Sequence, residues 1–137
     1  MRFFLFPLLL IAALQTFAAE SVLKFALTKA DGTPTVYHFI VPTDLNDQGA
    51  ILSHEESIQR QHNAGVAALA WAKRFYGAHQ IFLRSVELQE GPVPGQASYY
   101  LAKFDGEIAG IRQAFFAIVL SSGSVLEPVE SPQAPSH

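Results

Sequence analysis

There is no cysteine in this 137-residue chain, so neither a disulfide nor a cysteine-ligated metal can hold it together. Lipid attachment at a processed amino-terminal cysteine is excluded as well. Small extracellular domains of animals are often disulfide-rich, so an exported chain without cysteine points to a bacterial periplasmic or secreted protein stabilised by packing alone. A basic cluster is missing too. Nucleic-acid binding needs several phosphates neutralised by grouped Lys and Arg, whereas the 9 basic residues here are scattered among 12 acidic ones. The same scatter argues against an anionic membrane surface as partner. Long hydrophobic runs are limited to one, Phe3 to Leu14, and it falls short of the roughly twenty residues needed to span a bilayer.

That one run is informative about destination. Arg2 precedes it, and Gln15-Thr16-Phe17-Ala18-Ala19 follows with small residues where a signal peptidase cuts. This order of a basic start, a short apolar segment and a small-residue exit is that of a secretory signal peptide. Residues 1–19 are expected to be removed, leaving an exported, periplasmic or secreted protein with no stable membrane span. Without the first 19 of 137 residues, 118 remain, enough for one domain and too few for two. Losing Arg2 leaves eight basic against twelve acidic residues, a net charge of −4.

Hydrophobic periodicity orders the rest. Ser21 to Lys29 alternates, with Leu23, Phe25 and Leu27 on one face, and Thr35 to Val41 alternates again across the Asp31-Gly32 turn. These two runs predict a β-hairpin. Pro34 and Pro42 bracket the second strand and predict an edge position for it. Ser53-His54-Glu55-Glu56 has the capping-box spacing and opens a helix that runs to Tyr76, with Gly77 placed for a left-handed cap. At 100° per residue, Ile58, His62, Gly65, Leu69, Ala72 and Tyr76 share one face, and Ala64, Ala68, Trp71 and Phe75 form an adjacent stripe. Residues 80–88 predict a strand with a phase slip at Arg84-Ser85, the mark of a bulge. Gly91 to Gly95 is a loop by composition. Ser98 to Phe104 predicts a strand turned by Asp105-Gly106, then a long strand to Leu120 with a bend at Gly110. Ser121 to Ser124 is a turn, Val125 to Glu127 a last short strand, and residues 129–137 a disordered tail. The expected core gathers Leu23, Phe25, Leu27, Leu69, Ala72, Leu101, Phe116 and Ile118.

One helix segregated from hairpin-linked strands is an α+β fold, a single long helix packed on a curved antiparallel sheet in the order β-β-α-β-β-β-β within residues 20–128. That order resembles the cystatin-like architecture. The stretch Tyr99-Tyr100-Leu101-Ala102-Lys103-Phe104-Asp105-Gly106 also resembles small exported modules of the PepSY type. The cystatin-like resemblance implies protease inhibition through a Gln-x-Val-x-Gly loop after the helix and its following strand. Here Val93-Pro94-Gly95 occupies that place, Gly91 stands where the glutamine belongs, and Trp71 lies on the helix rather than in the second hairpin.

Chemistry-bearing motifs are scarce. Five histidines, at 38, 54, 62, 79 and 137, show no His-Glu-x-x-His pattern. His54 and His62 are eight residues apart, about 80° around the helix and about 12 Å along it, so they do not face one ion. No metal and no cofactor are expected. No Gly-x-Ser-x-Gly elbow exists, and the serines sit at caps and turns, where hydroxyls serve the backbone. Glu55 and Glu56 complement the positive end of the helix. His62 is the one polar side chain on the apolar helix face, and with Tyr37, Tyr76 and Tyr99 it forms the candidate ligand-binding set. From Ala114 to Leu120 both strand faces are apolar, which marks a strand covered on both sides. Phe115 and Val119 are therefore candidates for a homodimer or partner interface, with Val93 as the loop contact.

The expected function is that of a small exported, non-catalytic binding or protein-interaction module. The alternatives are a cone-shaped α+β enzyme with a small-ligand pocket, resembling nuclear transport factor two but with a single helix, and an inhibitor acting through Gly91 to Gly95.

Overall fold

The computed structural model describes residues 23–41, 53–90 and 98–132. The expected leader, the Gly91 to Gly95 loop with Val93, Pro42 and His137 lie outside the described residues.

Two antiparallel sheets share one helix, rather than one curved sheet carrying it. Strands β1 (Leu23–Thr28), β2 (Pro34–Phe39) and β7 (Val129–Pro132) form a three-stranded sheet in the order β1-β2-β7. Strands β3 (His79–Gln89), β4 (Tyr99–Ile108), β5 (Ile111–Leu120) and β6 (Val125–Leu126) form a four-stranded sheet in chain order. The helix, α1, spans His54–Tyr76.

The helix begins and ends where its caps dictate. The Ser53 hydroxyl accepts from the Glu56 backbone N–H at 3.2 Å. Gly77 ends the helix at φ +63, a left-handed conformation open to glycine at little cost. The buried face is centred on Ala64, Gly65, Ala68, Trp71, Ala72 and Tyr76, while everything from His54 to Asn63 is exposed. Small side chains let the helix backbone come close to the sheet, so the contact is made through alanines rather than through Ile58 or Leu69.

Two expectations about the strands are corrected. The predicted edge strand β2 is central, with β1 on one side and β7 on the other. Pro34 is tolerated because it is the first residue of that strand. The expected tail begins as a strand: Thr35 pairs with Pro132 and His38 with Val129, and Lys29 forms an ion pair with Glu130. Val129 stays 48% exposed, so backbone pairing rather than burial orders this segment.

The Asp105-Gly106 turn is also corrected. Strand β4 continues through both residues to Ile108, and the hairpin turns at Ala109 (φ 57) and Gly110 (φ 73). Positive φ at both central residues is what a two-residue hairpin loop requires. The bulge at Arg84 is present: Leu83 pairs with Phe104 and Ser85 with Lys103, leaving one extra residue in β3.

Register sorts the four-stranded sheet into two faces. Tyr100, Ala102, Phe104 and Ile108 of β4 lie with Phe115, Ala117 and Val119 of β5 on the face beneath α1. Tyr99, Leu101, Phe116 and Ile118 lie on the other face, as the two-sided apolar run requires. Phe25 of β1 meets Phe116 edge-on at 5.1 Å and Tyr76 at 6.2 Å, so the amino-terminal hairpin supplies cover on that side. Gln113 joins the sheets, accepting from Thr28 N–H at 2.7 Å and donating to Thr28 C=O at 2.9 Å. Of the expected core, Leu27, Ala72 and Ile118 are buried, while Leu23, Phe25, Leu69, Leu101 and Phe116 pack half-buried around it.

Candidate functional site

The four side chains of the expected ligand set do not converge. Tyr37 and Tyr76 meet, with ring centroids 5.6 Å apart, inside an aromatic cluster that includes Phe25, Phe75 and Trp71. Tyr99 is buried on the sheet face away from α1. His62 is exposed on the helix surface and lines a groove in which none of the tyrosines takes part. Phe115 and Val119, the expected interface pair, are 0% and 1% exposed, both enclosed by this chain's own helix and sheet.

Tyr76 serves the fold. Its hydroxyl donates to the Phe116 carbonyl at 2.7 Å, tying the last helical turn to β5. Burial pushes its phenol well above the ordinary value, because ionisation would place a charge where water cannot reach it. Burial raises Tyr37 as well, and the Glu130 carboxylate adds to that while Lys29 opposes it. A group whose pKa is raised on folding holds its proton more tightly in the folded chain. Its contribution is complete below the unfolded value of about 10 and declines as pH rises beyond it. Stability should therefore fall as pH rises above about 10, Lys29 adding to the fall in the same direction. Tyr76→Phe should flatten that profile while costing about 1 kcal/mol at neutral pH for the lost hydrogen bond. Urea titrations across that rise in pH check it, and an unchanged alkaline slope in the variant would refute it.

Among the described residues, three open clefts of similar size lie beside the helix. One, of about 340 Å³, lies where the β1–β2 hairpin meets the helix end and is lined by Lys29, Asp31, Tyr37, Arg74 and Phe75. A second, of about 450 Å³, has Arg60, Asn63 and Ser122 at its rim over Ala64, Tyr100 and Val119. The third, of about 420 Å³, is a groove between α1 and β3, and its lining is the most apolar of the three.

The groove is built by local geometry. Ile58, His62 and Val66 stand one turn apart on the helix, and Leu69 extends the row. Leu83 and Val86 of β3 form the opposite wall, with Leu88 further along the same face. Gly65 is the floor. A Cβ there would lie 3.3 Å from Leu83 Cδ2 and 3.3 Å from Val86 Cγ2, so the strand side chains rest almost on the helix backbone. Gln61 Nε2 donates to the Val86 carbonyl at 2.6 Å and fixes the strand edge against the helix.

This groove leaves large apolar groups in water. Ile58 is 54%, Val66 57% and Leu83 38% exposed, and Leu88, beyond the groove on the same strand face, is 62% exposed. Phe82 is also exposed but belongs to the opposite sheet face, where the Arg112 guanidinium stands 5.9 Å from its ring. Among the expected residues only His62 takes part. Val66, Leu83 and Val86 are additions that the structure makes, although Val66 fits neither predicted helix stripe, a signal that it faces outward.

Among the described residues no three His, Asp or Glu side chains gather as metal ligands, and no helix is long and apolar enough to cross a membrane. Comparison with known protein families, with curated proteins and with solved structures finds no match to this chain.

Proposed function

We propose that this chain is a small exported, non-catalytic interaction module that binds through the α1–β3 groove. The observation that carries the reading is the set of three large aliphatic side chains, Ile58, Val66 and Leu83, left more than a third exposed along one groove. A compact chain ordinarily covers such a patch unless another molecule does so. The apolar leader with its small-residue exit supports export. The α+β order of a helix followed by hairpin-linked strands is compatible with the cystatin-like comparison for the four-stranded half. The inhibitory loop of that comparison falls on Gly91 to Gly95, outside the described residues, so the groove carries the proposal.

An apolar fluorescent probe, anilinonaphthalene sulfonate, tests the surface. Fluorescence should rise on titration, with amide shifts concentrated at residues 58–69 and 83–88, and Val66→Glu should weaken probe affinity about tenfold or more by placing a charge in the groove. Shifts confined to either of the other two clefts, or a Val66→Glu variant that binds as well, would overturn the assignment.

A further inference from the structure

We infer that the occupant of this groove is the same face of a second copy of the chain, α1 packing antiparallel on α1 about a two-fold axis. The inference rests on the groove being a binding surface and adds the identity of the partner. Glu55, Ile58, His62, Val66, Leu69 and Lys73 follow at steps of three and four residues and so form one stripe along the helix. That stripe is acidic in its first turn, apolar in its middle and basic in its last turn.

A surface with this charge order complements itself when reversed. With the two-fold axis level with Ala64, Glu55 of each copy faces Lys73 of the other, and His62 of each faces Val66 of the other. A parallel arrangement would set Glu55 against Glu55 and Lys73 against Lys73. Isologous contact forms every pair twice, and antiparallel helix dipoles are themselves compatible. The exposed Ile58 and Val66 side chains are covered in the reversed arrangement, and the shallow Gly65 floor accepts a helix face rather than an enclosed small molecule.

Docking by strand addition is disfavoured. The β3 edge is broken at Arg84, and its Val86 carbonyl already accepts from Gln61. The helical stripe from Glu55 to Lys73 is about 27 Å long at 1.5 Å per residue. One helix width over that length buries only about 600 Å² in total, below the size of stable specific interfaces, so the dimer is weak and concentration-dependent rather than permanent.

Sedimentation of the purified chain from about 1 µM to about 1 mM, a range suited to small interfaces, should show the mass doubling. Glu55→Lys alone and Lys73→Glu alone should each raise the dissociation constant about tenfold, through two lost pairs and new like-charge contacts. The double reversal should return it to near the original value, because each copy then presents opposite charges to its partner at both ends of the stripe, with the signs exchanged. Helix stability has the opposite order, since both reversals oppose the helix dipole and the double variant should melt lowest. Recovered dimerisation in the least stable variant therefore cannot come from folding. A chain that stays monomeric throughout, or a double reversal that associates no better than the single ones, overturns the dimer. If probe binding is still lost in Val66→Glu in that case, the groove remains a binding surface with another occupant. If probe binding is absent as well, both readings fall.

Discussion

Phe115→Ala should cost about 3–5 kcal/mol, the usual range for removing a fully enclosed aromatic ring. The ring has no exposure, and its centroid lies 4.8 Å from Tyr76 and 5.7 Å from Phe104. It is the place where helix and sheet close on each other, so truncation leaves a cavity bounded by both elements. Collapse into that cavity would require α1 to move, yet Tyr76 is tied to the β5 backbone and Gly77 fixes the helix end. For a domain with total stability of about 5–15 kcal/mol, such a loss removes a large fraction of the folded margin. Phe75→Ala is the control. That ring stacks on Trp71 at 4.6 Å but remains 37% exposed, and its truncation should cost well under half as much. Urea midpoints at constant m-value measure both. A Phe115→Ala cost below about 1 kcal/mol would mean that the ring is not enclosed as described.

The burial of Phe115 also shows where sequence reasoning succeeds and where it stops. The run from Ala114 to Leu120 is apolar on both faces, and that alone says both faces are covered. It does not say by what. The cover comes from α1 on one side and from Phe25 on the other, a contact across 91 positions of chain that no local pattern encodes. The helix is legible because its signals are local: a serine cap, acids in the first turn and a glycine stop. Its rotation is legible in part: the two predicted stripes contain every buried helix residue, Ala64, Gly65, Ala68, Trp71, Ala72 and Tyr76, but the first also takes in Ile58 and His62, which are exposed. Close approach favours small side chains, and a periodicity weighted by hydrophobicity does not separate these from Ile58. The candidate groove escapes the sequence for the same reason, since it lies along the edge of the face that periodicity assigns to the core. Strand β7 has no alternation to read because it is ordered by pairing with β2 and by the Glu130 contact to Lys29.

The misplaced turn at Asp105-Gly106 leads to the second large effect. Asp-Gly is ordinarily a stronger turn signal than Ala-Gly, yet here the glycine serves packing within a strand. A Cβ on Gly106 would lie 3.0 Å from Phe115 Cζ, 3.1 Å from Cε1 and 3.4 Å from the Ile81 Cα. Gly→Ala at a strand position with unstrained backbone would by itself stabilise by about 0.4–1 kcal/mol, through fewer conformations in the unfolded chain. The sign therefore depends on whether the Phe115 ring can move aside. Phe104 and Tyr76 confine it, and the Ile81 backbone lies close to the same added methyl. Gly106→Ala should thus destabilise by about 1–3 kcal/mol, the usual cost of overpacking. In a Phe115→Leu background the methyl gains space where the aromatic edge was, and the same substitution should become neutral or favourable. The coupling between the two sites should be about 0.5–3 kcal/mol, as for residues in direct contact. Additive behaviour, or a stabilising Gly106→Ala in the otherwise unaltered chain, would place Gly106 in a turn away from Phe115 and contradict the β4–β5 register.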